Sequence, residues 1–188
     1  MFSTNTGRRM LSSAGMALGF ATVLFTGAVA LAGPASAATV TAQLDSGRIL
    51  VNGSSVADGI EIKLNATGTV VTISNTLGSV AAGSGCTQSG AATQCPAGGI
   101  DRVDVFAGDG GDAIRNNTKL PSTLSGDNGI DTVNGGSSAD ILFGSFGNDT
   151  LNGGGGNDRL SGGIGADTLN GGADTDRCDG EFETSCEL

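Results

Sequence analysis

Asp131, Asp140, Asp149, Asp158, Asp167 and Asp176 recur every nine residues without one insertion or deletion. Carboxylates at fixed spacing suit two kinds of chemistry: paired acid–base work on a glycosidic bond, or ligation of a hard cation. The residues around them favour the second. Glycine, asparagine, serine and threonine dominate the intervals, adding exposed carbonyl oxygens to the carboxylates with no imidazole, and such a donor set selects calcium over zinc or copper. A flexible loop favours it over magnesium as well, because magnesium demands near-ideal octahedral geometry.

The aspartates do not recur alone. From Ser125 the chain divides into SGDNGIDTV, NGGSSADIL, FGSFGNDTL, NGGGGNDRL, SGGIGADTL and NGGADTDRC, and two positions after each aspartate stands Val133, Leu142, Leu151, Leu160, Leu169 or Cys178. A disordered linker has no reason to hold that phase. Each unit reads as a six-residue glycine-rich turn and a short strand with its apolar residue inward, two units making one coil of 18 residues. Stacked coils give a parallel β-roll. Asp131, Asp149 and Asp167 then form one column and Asp140, Asp158 and Asp176 the other, with neighbours about 4.8 Å apart at the usual strand spacing. Two carboxylates at that distance repel by roughly 1 kcal/mol in water and roughly 3 to 4 at an effective dielectric of 20. Such a ladder needs cations between its rungs.

The pattern resembles the hemolysin-type, or RTX, calcium-binding repeat G-G-x-G-x-D-x-U-x, in which U is a large apolar residue. Residues 153–161 and 162–170 match it at every fixed position, whereas Asp127 and Ser145 replace the second glycine and Ser138 and Asp174 the third. Those loops must accept side chains where glycine is preferred, which aspartate tolerates better than serine. Residues 107–114 resemble one more copy lacking its first glycine and make Asp112 a weaker candidate; residues 115–124 have no aspartate and read as a turn without a full site. The resemblance implies that each ion lies between loops 18 residues apart. One loop gives its second and fourth carbonyls and its aspartate; the next gives its first and third carbonyls and its aspartate. Carried onto this chain, Gly154, Gly156 and Asp158 meet Gly171, Ala173 and Asp176, and Ser145, Gly147 and Asp149 meet Gly162, Ile164 and Asp167. Likewise Gly136, Ser138 and Asp140 meet Gly153, Gly155 and Asp158, and Asp127, Gly129 and Asp131 meet Gly144, Phe146 and Asp149. About four calcium ions follow. Asp158 is then shared by two sites and Asp131 serves one.

Composition excludes much else. The chain of 188 residues carries 19 acidic against 9 basic side chains, a net charge of −10, and no histidine, tyrosine or tryptophan. Histidine-based nucleophile pairs and imidazole zinc sites are therefore absent, and a chain this acidic repels nucleic acid. Arg8 and Arg9, an apolar run over 16–31 and Ala35-Ser36-Ala37 read as a signal peptide over residues 1–37. The ordinary secretory and twin-arginine routes both stay open. After cleavage 19 acids and 7 bases remain, a net charge of 7 − 19 = −12, and no membrane span is expected. Cys86, Cys95, Cys178 and Cys186 read as two disulfides in an exported chain, the sequence-local pairing being one of three, and a four-thiolate zinc site is the rival reading.

Residues 38–106 show apolar alternation at Val40, Ala42 and Leu44, at Ile49 and Val51, at Ile60, Ile62 and Leu64, at Val71 and Ile73, and at Val103 and Val105. Turns are expected at Asp45-Ser46-Gly47, Asn52-Gly53 and Ala66-Thr67-Gly68. The expected fold is all-β: a parallel β-roll over 107–188, with full repeats over 125–178, and an N-terminal β-strand cap. Asp101, Asp104 and Asp109 are expected as surface charges, and Asp179, Glu181, Glu183 and Glu187 as residues that keep the end of the roll soluble. The function expected is that of a secreted, non-catalytic calcium-binding protein with a structural or surface-interaction role. The alternative is an extracellular adhesin or carbohydrate-binding module, or a non-catalytic partner of a secreted carbohydrate-active enzyme.

Overall fold

The computed structural model describes residues 39–187, and the expected leader lies outside them. Seventeen strands follow in order: β1 (Val40–Asp45), β2 (Arg48–Ser54), β3 (Gly59–Leu64), β4 (Val70–Asn75), β5 (Val80–Ala82), β6 (Thr87–Ser89), β7 (Ala92–Pro96), β8 (Arg102–Gly108), β9 (Ala113–Asn117), β10 (Ser122–Asn128), β11 (Thr132–Gly136), β12 (Ile141–Phe146), β13 (Thr150–Gly155), β14 (Arg159–Ile164), β15 (Thr168–Ala173), β16 (Arg177–Asp179) and β17 (Phe182–Thr184). They form two sheets, β16-β14-β12-β10-β8-β2-β1-β5 and β17-β15-β13-β11-β9-β3-β4-β7-β6. β2 and β3, and then all strands from β8 onward, alternate between the sheets, so β2 with β3 and each consecutive pair from β8 with β9 make one coil of a parallel roll.

The registers carry the nonapeptide phase into space. Leu124 pairs with Leu142, Leu142 with Leu160 and Leu160 with Cys178 in one sheet; Val133 pairs with Leu151 and Leu151 with Leu169 in the other. All the aliphatic members of these two rows are buried. Each row adds one apolar side chain per strand, which makes a narrow core.

Strands run further, and turns are shorter, than the repeat alone suggests. In β13 the strand continues through Asn152, Gly153, Gly154 and Gly155, so only Gly156, Asn157 and Asp158 make the turn. Glycine is a poor strand former, but the close stack imposes pairing on it: Gly154 is in register with Gly172. Asn52-Gly53 is also strand, inside β2, and not the expected turn. Gly53 faces a neighbour at close range, because a β-carbon there would overlap the Ala107 carbonyl oxygen of the next coil.

The roll reaches past the repeats into the N-terminal half. Strand β2 pairs in parallel with β8, and β3 with β9, so residues 48–64 form a first coil. The 65–101 segment between the first two coils supplies β4–β7, which with β1 close the N-terminal edges by antiparallel pairing of β1 with β2 and β3 with β4. Strands β1, β2, β3, β4 and β8 coincide with the alternating apolar stretches, and Ser46, Gly47 and Gly68 take the positive φ of tight turns. Disulfides join Cys86 to Cys95 and Cys178 to Cys186. Asp104 is not a surface charge: it is buried, 2.9 Å from Arg48 and 2.7 Å from Arg102.

The stack sets different tolerances for two left-handed glycines. Gly147 has φ +136° and its β-carbon would overlap the Gly129 carbonyl oxygen, whereas Gly68 has φ +70° and faces open space. Gly68→Ala is expected to cost about 1 to 2 kcal/mol, the left-handed penalty alone, and Gly147→Ala more than about 3 kcal/mol. Urea titration at saturating calcium measures both; equal losses would contradict the close stacking.

Candidate metal centre

In the repeats the inward strand position after the apolar residue is the first glycine, and its missing side chain leaves room. The aspartate five residues later fills it. A β-carbon on Gly144 would meet Asp149 Oδ2, one on Gly153 would meet Asp158 Oδ2, and one on Gly162 would meet Asp167 Oδ2. The six repeat aspartates and Asp112 are therefore buried despite their charge.

One oxygen of each carboxylate is used by the stack. Asp131 N–H donates to Asp149 Oδ1 and Asp149 N–H to Asp167 Oδ1, both at 2.8 Å. On the other edge Asp140 N–H donates to Asp158 Oδ1 and Asp158 N–H to Asp176 Oδ1, again at 2.8 Å. The two columns expected from the 18-residue spacing are thus continuous ladders. The second oxygen is not used: Oδ2 of Asp112, Asp131, Asp140, Asp149, Asp158, Asp167 and Asp176 is buried with no hydrogen-bond partner. A buried anionic oxygen without a donor is costly. Seven in two rows fit a positively charged partner.

Carbonyl oxygens gather at the same level. The second-position carbonyls of Gly136, Ser145 and Gly154 point at the following coil, against Gly154, Gly163 and Gly172, and the fourth-position carbonyls of Gly129 and Gly147 point at Gly147 and Gly165. The first-position carbonyls of Gly153, Gly162 and Gly171 point back, against Gly135, Gly144 and Gly153. Phe146 and Ile164, in third positions, also point back, accepting Gly129 N–H at 2.8 Å and Gly147 N–H at 2.9 Å and keeping a second lone pair. Gly155 and Ala173 are in register. Among the described residues no three His, Cys, Asp or Glu side chains converge as a metal cluster, so a cation here relies on paired carboxylates plus backbone oxygen. That donor set fits a hard ion of high coordination number.

Residues 123–151 and 152–182 match the family described as RTX calcium-binding nonapeptide repeat, in four copies. Residues 123–182 are an array of RTX-type repeats. RTX repeats bind calcium, and the seven unpartnered oxygens suit that ion. No curated protein and no solved structure matches the chain.

The RTX loops absorb their departures unequally. Asp127, Ser145 and Asp174 take positive φ of 70°, 83° and 78°, as their glycine-replacing positions require. Ser138 does not; its backbone leaves the left-handed region and its hydroxyl donates to the Lys119 carbonyl at 2.8 Å. Its neighbour in the stack is the irregular turn after β9, and Ser122, which follows that turn and opens β10, stands in register with Asp140 and gives its N–H and hydroxyl to Asp140 Oδ1 at 2.7 Å.

Glu181 and Glu187 do more than solvate the C-terminal end. Glu181 Oε2 accepts Asp167 N–H at 3.0 Å and Glu187 Oε2 accepts Asp176 N–H at 2.6 Å, each taking the place of the next aspartate. Their spacings of 14 and 11 residues break the 18-residue period, so the repeat does not reveal them. Asp58 was equally hidden. It lies 54 residues before Asp112, to whose Oδ1 its N–H donates at 2.7 Å. Its signal was local: Gly53 five residues before it and Ile60 two after it reproduce a degenerate repeat.

Burial raises the pKa of Asp112, Asp131, Asp140, Asp149 and Asp158, and neighbouring aspartates add to the effect at all of these except Asp140. Asp112, Asp131 and Asp140 are pushed up to about 6 and Asp158 to about 7, against backbone hydrogen bonds that pull the other way. Asp149 moves in the same direction. A carboxyl whose pKa is higher folded than unfolded favours folding when protonated, a contribution complete below the ordinary value of 3.8 and lost as pH rises through about 6 to 7. In chelator the roll should therefore gain thermal stability as pH falls from 8 to 5, while calcium affinity falls because protons compete for the same oxygens. Melts followed by circular dichroism at several pH values test this; metal-free stability that is flat or falls on acidification would contradict it.

Proposed function

We propose that the protein is an exported, non-catalytic calcium-binding roll whose repeats complete their folding when calcium fills the gaps between stacked loops. The single observation that supports this most directly is the double row of buried carboxylate oxygens without partners. Gly154, Gly156 and Asp158 with Gly171, Ala173 and Asp176 would hold one ion, and Ser145, Gly147 and Asp149 with Gly162, Ile164 and Asp167 another. Gly136, Ser138 and Asp140 with Gly153, Gly155 and Asp158 would hold a third, and Asp127, Gly129 and Asp131 with Gly144, Phe146 and Asp149 a fourth. Bound calcium supplies the positive charge that offsets carboxylate repulsion and the coordination that the Oδ2 atoms otherwise lack.

Compartment sets the direction of the switch. Where calcium is scarce the aspartate columns repel and the glycine-rich chain is loose, a state suited to export. Outside the cell, calcium at about 10⁻⁴ to 10⁻³ M matches the affinity typical of extracellular sites, and binding drives folding by mass action. Two disulfides are compatible with that setting. Among the described residues no helix is long and apolar enough to cross a membrane.

A surface-binding role is supported by a separate observation. Thr132, Thr150 and Thr168 stack in register on the outer face of the nine-stranded sheet, and so do Asn134, Asn152 and Asn170. Such a polar array offers repeated hydroxyl and amide groups to a glycan or another surface, and glycan arrays on the calcium-loaded protein would reveal it.

Hydrogen exchange with and without calcium tests the main reading. Residues 125–178 should lose protection in chelator, while residues 40–106, which have the thicker core and the Cys86–Cys95 bridge, should change less. Strong protection of the repeat strands in chelator would show that the array folds without metal.

A further inference from the structure

The stack continues below the matched repeats with the same geometry, although the spacing there is 19 residues and not 18. Asp112 N–H donates to Asp131 Oδ1 at 2.7 Å, as Asp131 N–H does to Asp149 Oδ1 at 2.8 Å. Thr132 N–H donates to the Asp112 carbonyl at 2.8 Å, as Thr150 N–H does to the Asp131 carbonyl at 2.9 Å. Gly110 repeats the role of Gly129: its N–H reaches the third-position carbonyl of the next loop, Asn128, at 2.8 Å, and its own carbonyl points at the fourth-position glycine, Gly129. Asp109 fastens the two loops together by accepting Asn128 Nδ2 at 2.7 Å. Asp112 and Asp131 are 2% and 1% exposed, and the Oδ2 of each is without a partner.

One coil earlier the pattern changes. Asp58 is just as buried, at 2% exposed, yet both its oxygens are taken: Asn75 Nδ2 donates to Oδ1 at 2.7 Å and Ser54 N–H to Oδ2 at 2.8 Å. Asn75, from β4, also uses its own carbonyl oxygen to accept Gly59 N–H at 2.8 Å and Leu77 N–H at 3.0 Å. A neutral amide and a backbone donor thus satisfy the Asp58 carboxylate, which is what the Oδ2 atoms higher in the ladder lack.

We infer that a fifth calcium site lies between loop 107–112, outside the matched repeats, and loop 126–131, the first within them, and that the metal rungs of this column stop at Asp112 because Asn75 and Ser54 complete Asp58. The inference rests on the calcium-binding reading above. By the same stacking rule Gly108, Gly110 and Asp112 would face Gly126, Asn128 and Asp131. Asp131 then serves two sites, not the one that the repeats alone imply, and Asp112 serves one.

Counting calcium ions per chain by native mass spectrometry of the full disulfide-bonded protein separates the schemes. Asparagine keeps the Oδ1 acceptor of the ladder and removes the charge, so Asp112→Asn should bind one ion fewer than the unmodified protein. Asp131→Asn should lose two, as many as Asp158→Asn, and Asp58→Asn none. An unchanged count in Asp112→Asn, loss of more than one ion there, or loss of a single ion in Asp131→Asn beside two in Asp158→Asn would overturn the fifth site. Loss of an ion in Asp58→Asn would overturn the stop at Asp112. An unmodified protein that binds no calcium would instead defeat the calcium-binding reading itself.

Discussion

Seven aspartates bury carboxylates in two rows at strand spacing, each with one oxygen committed to the neighbouring coil and one left over. Like charges at that separation repel, and burial magnifies the repulsion by lowering the local dielectric. An apolar substitute at the same position would remove the repulsion but also the acceptor that holds the next coil's N–H, so the fold cannot simply discard the charge. The fold must supply a positive partner or accept protons. The raised pKa values of Asp112, Asp131, Asp140 and Asp158 are the metal-free expression of that constraint.

Glycine use follows from the same constraint. The first position of each repeat faces inward, where a strand would normally place a second core residue, and in the repeats that volume belongs to the aspartate. The N-terminal coils contrast with this, since Ile49 and Val51 both point inward from β2, and Ile60 and Ile62 both point inward from β3. Two apolar residues per strand give that half a core of its own, while the repeat half has one and must draw the rest of its cohesion from what lies between the loops.

Much of the roll was legible because a period of nine, doubled, is itself a geometric statement: it fixes which aspartates stack and which leucines share a row. Irregular parts of the same roll were not legible. The 65–101 segment interrupts the stack between the first two coils, so Asp58 and Asp112 are neighbours in space without any period in the chain. Asp104 read as a surface charge because the alternation around it is that of a half-exposed strand; Arg48 and Arg102, from two adjacent strands, close over it and bury it as an ion pair. Ser138 read as a strained replacement for glycine, but its stacking partner is a turn of different length, and with no regular loop to match the backbone relaxes.

The ladders also have a direction, and that direction dictates their ends. Every rung donates its N–H toward the C-terminus and accepts at Oδ1 from the N-terminal side, so the last rung lacks an acceptor and the first lacks a donor. Acceptors stand at the C-terminal end, where Glu181 and Glu187 follow Cys178 on a segment tied back by the Cys178–Cys186 bridge. Donors stand at the other end: the Asn75 amide for Asp58, and the Ser122 hydroxyl and N–H for Asp140. An ionised carboxylate closes the first kind of end but, as an acceptor only, cannot close the second, which needs a donor such as an amide, a hydroxyl or a backbone N–H. Glutamates at the C-terminal side and an asparagine and a serine at the N-terminal side are therefore not interchangeable, and the polarity of a parallel stack is written in the chemistry of the residues that terminate it.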